Sequence, residues 1–138
     1  PNVVRRCRRT MRGGLVRAKD GLGKYGERVA ATYLVDGGYE LIDRNWRCDD
    51  AELKGELDIV ARREGVLTFV EVKTRSSVDF GEPAEAVGPV KVKKIRELAT
   101  VWLRQHPTMH SDSISFDVMT VMHTGKGAAQ VTHLREAF

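Results

Sequence analysis

The chain has only two cysteines, Cys7 and Cys48, far apart. They build neither a disulfide framework nor a CxxC zinc site. No apolar run approaches the roughly 18 residues that a membrane span needs, so no membrane partner is expected. The basic N-terminal stretch is not followed by an apolar segment of the kind a signal peptide carries, and the cytoplasm is the expected compartment. Repeats and Pro- or Ser-rich linkers are also missing, which argues against arrays and multidomain strings. What is present is a 138-residue chain, 41% hydrophobic and 30% charged. That suffices for one core and makes wholesale disorder a poor reading.

Acidic residues are absent from positions 1–19, which hold seven of the 23 basic residues. The remaining 16 basic side chains face 19 acidic ones over 20–138, so the body is slightly acidic although the whole chain carries +4. A flexible basic tail over 1–19, followed by one domain over 20–138, is the division this implies. Such a tail could grip nucleic acid or simply add solubility.

Leu22, Tyr25, Val29, Ala30, Tyr33 and Leu34 repeat at helical spacing and Gly37-Gly38 stops them. Residues 39–47 read as a strand. Gly55–Arg63 and Val66–Arg75 read as two more, joined around Glu64-Gly65. A second helix carries Val92, Ile95, Leu98, Ala99, Trp102 and Leu103 and ends before Pro107. Ile114–Met122 alternates as a strand, and Ala129–Leu134 adds another. The order α-β-β-β-α-β-(β) predicts a mixed α/β sheet with a helix on at least one face. Gly21, Gly23 and Gly26 spell GxGxxG, but no strand precedes them to aim a helix N-terminus at a pyrophosphate, so they are not read as a dinucleotide site.

The chemistry concentrates on the central strands, in Glu56, Asp58, Glu71 and Lys73. A two-residue turn at Glu64-Gly65 sets Arg63 against Val66. Asp58 then stands opposite Glu71 and Glu56 opposite Lys73. Leu57, Ile59, Val70 and Val72 line the other face. Directly opposed Cβ atoms are about 4.5–5.5 Å apart. Two like charges there repel by about 3 kcal/mol at an effective dielectric of about 20. A retained proton, a bridging Lys73 or a divalent cation would relieve this. Oxygen-only ligation suits Mg²⁺ or Mn²⁺. The plain alternative is a half-exposed strand pair with a Glu56–Lys73 ion pair. Against it, Phe69, Val70 and Val72 make Glu71 look like part of a central strand, where a buried acid seldom lacks a role.

An Asp followed by Glu-x-Lys on the next strand resembles the PD-(D/E)XK nuclease signature. Residues 22–138 resemble the YraN family of bacterial proteins more closely. The shared stretches are GERVA with Glu27, RNWR at 44–47, GELDIVA at 55–61, FVEVKTR at 69–75 and FGEPAEAV at 80–87. The lysines of 91–94, FDV at 116–118 and the closing EAF at 136–138 also match. That family is similar in pattern to archaeal Holliday-junction resolvases, and the resemblance implies a restriction-endonuclease-like fold. Carried over, it makes Asp58, Glu71 and the helix acid Glu27 metal ligands, and Lys73 the group that orients water or meets phosphate charge. Leu57 stands where the signature has proline. Glu56 is an additional acid without an assigned role.

Lys91, Lys93 and Lys94 open the second helix, where acids would suit the dipole better, and are read as phosphate contacts or a solvated face. Trp46 and Trp102 are expected to be buried anchors. His106, His110, His123 and His133 show no metal spacing and are expected at the surface. The leading expectation is a Mg²⁺- or Mn²⁺-dependent endonuclease on structured or branched DNA. The alternatives are a non-catalytic nucleic-acid-binding module and a protein-interaction adaptor that keeps the fold. Cutting a four-way junction takes two active sites, which would suit a homodimer, although no sequence feature marks an interface.

Overall fold

The computed structural model describes residues 2–6, 18–76, 87–123 and 125–138. Cys7, the rest of the arginine-rich stretch up to Arg17, and positions 80–86 of FGEPAEAV lie outside them. Eight elements follow one another: β1 (Asn2–Arg6), α1 (Ala18–Asp36), β2 (Glu40–Cys48), β3 (Gly55–Arg63), β4 (Val66–Ser76), α2 (Pro89–Gln105), β5 (Ser113–His123) and β6 (Gln130–Leu134). From α1 onward this is the expected order, and the last strand is formed. The N-terminal segment differs from its reading as a tail. Residues 2–6 pair antiparallel with β6, and α1 starts at Ala18. Among the described residues no helix is long and apolar enough to cross a membrane.

The sheet has six strands in the order β1-β6-β5-β4-β3-β2. Only β4 and β5 run parallel. A parallel pair needs a long crossover, and α2 supplies it. The helices cover opposite faces. From α1, Tyr25, Val29, Ala30 and Leu34 pack with Ile59, Val70, Met119, Val121 and Val131. From α2, Ile95, Leu98, Ala99 and Trp102 pack with Val60, Leu67 and Phe69. Trp102 is fully buried, as expected, and its indole Nε1 donates to Asp43 Oδ2 at 2.9 Å. Trp46 is partly buried in the same cluster.

Glu64 and Gly65 both have positive φ, 51° and 79°, the backbone of a tight hairpin turn whose twist suits its strands. The pairing Arg63↔Val66 through Ile59↔Val70 follows from that turn. The GxGxxG glycines lie within α1, not at a strand-to-helix turn. Gly26 is there for packing, because a Cβ at that position would collide with Thr74 Oγ1 of β4.

Candidate functional site: an acid cluster where two strands part

The β3–β4 ladder stops at Ile59↔Val70. Beyond it β3 stays with β2 as far as Cys48↔Gly55, while β4 stays with β5 as far as Ser76↔His123. The strands therefore fork, and the opposition of Asp58 to Glu71 and of Glu56 to Lys73 does not form as ladder pairs. Asp58 occupies the fork. Its Oδ2 accepts a hydrogen bond from the Val72 backbone N–H at 2.8 Å, so a side chain satisfies a donor the ladder leaves open. Side-chain alternation also breaks at Asp58. Ile59 packs with α1, but Leu57 packs with α2 and so leaves the face expected for it.

On the neighbouring strand, Asn45 has φ 50° between Arg44↔Ile59 and Trp46↔Leu57. Asparagine is among the few residues that enter the left-handed region readily. With its amide nitrogen turned toward the acids, Asn45 donates to Glu56 Oε1 at 2.9 Å and to Glu27 Oε2 at 2.6 Å. Glu27, from α1, is thereby tied to β3. One carboxylate oxygen from each of Glu27, Glu56 and Asp58 lies within 4.8 Å of the others.

Glu71, buried on β4, stands beside this trio rather than within it. Its Oε1 is 3.5 Å from Lys91 Nζ in the first turn of α2. Glu56 pairs with Arg47 across β2 at 3.6 Å, not with Lys73. Lys73 has no ion-pair partner among the described residues. Lys93 pairs along its own helix with Glu97 at 3.8 Å, and the stem of Lys94 lies over Gly55. Of the three lysines, Lys91 alone makes an ion pair to the acids of the fork.

Electrostatics follow from this crowding. Burial, then the Glu71 charge, pushes Asp58 up to about 8, with Glu27 and Glu56 adding to the rise and the Val72 N–H opposing it. Glu27 is also held above its usual range, first by burial and then by Glu56. Arg44 and the Asn45 amide pull it back, and Glu71 adds a smaller upward push. A cluster of hard oxygen donors that holds a proton near neutral pH lacks positive charge, which is the property a divalent cation would supply.

A second buried polar group lies away from the fork. Asp117 Oδ2 is 2.7 Å from His133 Nε2, Ser115 Oγ donates to Asp117 Oδ1 at 2.5 Å, and the Glu136 N–H donates there at 3.1 Å. His133 is thus buried, against the surface placement expected for it, because β6 sets it beside the β5 aspartate and the rings of Tyr33 and Tyr39. His106 stacks on Trp102 at 3.9 Å and is half-buried; His123 is half-buried against Tyr25; only His110 is exposed. Two contributions escaped the residue-type reading. Asn45 was hidden inside RNWR, where an asparagine in a strand is the one available signal. The Asp117–His133 pair had no signal, since its partners are distant in sequence.

The family described as "Uncharacterised protein family UPF0102" matches residues 26–121. A UPF0102 protein of Beutenbergia cavernae is 52% identical over 120 residues, covering 87% of this chain and 98% of the relative. One from Frankia alni is 50% identical over 123 residues, covering 89% and 98%. One from Kineococcus radiotolerans is 44% identical over 119 residues, covering 86% and 94%. The matched span contains the fork, Glu27, Asn45 and the first turn of α2, and the chain belongs to the UPF0102, or YraN, family.

Proposed function

We propose that the protein is a metal-dependent endonuclease that hydrolyses phosphodiesters in structured or branched DNA. The observation that carries this reading is the convergence of Glu27, Glu56 and Asp58 in the strand fork, with Glu71 and Lys73 on the adjoining strand. The donor set fits Mg²⁺ or Mn²⁺, being all carboxylate oxygen with room left for water and substrate. Asp58, Glu27 and Glu56 would hold the ion, and Glu71 would join them on release from Lys91. Bound there, the ion would polarise the phosphate and lower the pKa of a bound water.

This chain's own groups do the rest. Asp58, anchored by the Val72 N–H, would serve as a ligand in its deprotonated form. Lys73, without an ion-pair partner among the described residues, meets the charge that develops on the phosphate or orients the attacking water. Asn45 holds the α1 and β3 carboxylates at a fixed separation. Action on a four-way junction would need two such sites and so a homodimer.

The test is a cleavage panel of junction, flap, single-stranded and double-stranded DNA with Mg²⁺ or Mn²⁺. Cleavage by the wild type and none by Asp58→Asn is the expected result. No cleavage of any substrate would refute the hydrolytic reading. One observation favours a non-catalytic nucleic-acid-binding module instead: Glu56 and Glu71 already carry cation partners, Arg47 and Lys91. That module would bind DNA equally well after Asp58→Ala.

A further inference from the structure

Next to the fork, α1 and β2 enclose a cleft of about 690 Å³. Its walls carry Lys24 and Arg28 from the helix and Arg44 and Arg47 from the strand, and Glu27 and Glu56 line it as well. Lys24 and Arg28 lie four positions apart on α1, hence on one helical face. Arg44 and Arg47 would point to opposite faces of a regular strand. The left-handed Asn45 between them breaks that alternation, and both border the cleft. All four cations are exposed. Only Arg47 has an ion-pair partner among the described residues. Lys24, Arg28 and Arg44 thus share one concave surface without an ion pair among the described residues, and four cations outnumber the two acids, Glu27 and Glu56, that line it, in a body whose acidic residues outnumber its basic ones. Surface cations normally disperse or pair, so this surface suits a polyanion.

We propose that this cleft seats the phosphodiester backbone of a nucleic acid strand, held so that it runs toward the acid cluster. Two features suit a phosphodiester backbone. Three of the four cations are arginines, whose planar guanidinium fork binds phosphate oxygens in a bidentate manner. The cleft is also lined by Glu27 and Glu56, so a backbone seated on its cations adjoins the acids at which the proposed function places the attack on a phosphodiester. The choice of nucleic acid as the partner rests on the function proposed above; the cleft as an anion seat does not.

Fluorescence anisotropy of the full chain with a fluorescein-labelled DNA duplex, in EDTA so that no hydrolysis intervenes, tests the assignment. An Arg28→Ala/Arg44→Ala variant, checked for an unchanged melting curve, is compared with the wild type over a series of salt concentrations. Losing two phosphate contacts should weaken binding at least about tenfold at low salt and flatten the log–log salt slope by about two. The basic N-terminal stretch contributes equally to both proteins and cancels in the difference. Equal affinity and slope would overturn the proposal, as would poly-glutamate competing as effectively as unlabelled DNA. If the variant loses binding while the wild type cuts nothing with Mg²⁺, the cleft stands and the hydrolytic reading falls. If the wild type cuts DNA and the variant binds and cuts equally well, the cleft assignment alone falls.

Discussion

Asp58 holds the arrangement together at the residue scale, and its protonation is measurable as stability. A carboxyl raised from 3.8 to about 8 on folding binds more protons in the native state than in the unfolded one. Stability from this group is therefore fully present below about pH 4 and is lost as the pH rises through about 8. Asp58→Asn keeps an oxygen for the Val72 N–H and removes the charge. Its stability should change less between pH 6 and pH 9, and at pH 9 it should exceed the wild type by about 1–3 kcal/mol, read from urea unfolding. A wild type more stable at pH 9 than the variant would contradict the account. With His133, Ser115 and the Glu136 N–H all turned toward it in the interior, Asp117→Ala should cost about 3–5 kcal/mol in the same assay. That residue is structural: its oxygens are consumed within the fold, so the FDV stretch needs no catalytic explanation.

At the scale of elements, two glycines of α1 separate packing from permissiveness. Gly26 lies against Thr74, and Gly26→Ala should destabilise by about 1–3 kcal/mol through overpacking. A Cβ at Gly23 would meet open space, so Gly23→Ala should stabilise by about 0.5–1 kcal/mol by restoring helix propensity. Thermal unfolding of the two single variants should shift in opposite directions.

The elements also show which parts of the structure could be read beforehand. The β3–β4 register was legible because the Glu64-Gly65 turn admits one tight geometry and alternation carries it outward from there. Where the ladder ends was not legible. The apolar alternation continues unchanged past Asp58, and the fork arises because β3 follows β2 while β4 follows β5. Asp58, Glu27 and Glu71 were singled out by residue type and resemblance; the structure gathers Asp58 and Glu27 with Glu56 through the fork and Asn45 and leaves Glu71 beside them. Strand β1 was hidden by composition, since an arginine-rich stretch reads as solvated until β6 offers it an unpaired edge.

Over the whole molecule, charge is arranged in a way the net figure conceals. β1, from the basic N-terminal segment, lies on one edge of the sheet, and β2, with Arg44 and Arg47, forms the other. Arg44 and Arg47 thus place exposed cations at the β2 edge of a body that is otherwise slightly acidic. The acid cluster sits near the β2 edge, between the cleft of α1 and β2 on one side and the Lys91 turn of α2 on the other. A divalent cation held by that cluster would displace a proton from Asp58, and calorimetry would register the release. Mn²⁺ titrated into the wild type at pH 7, in two buffers of different ionisation enthalpy, should show one site that releases close to one proton per ion. The Asp58→Asn/Glu56→Gln variant should show no binding. No Mn²⁺ binding to the wild type, or equal binding by the variant, would contradict the claim that these carboxylates form a divalent-cation centre.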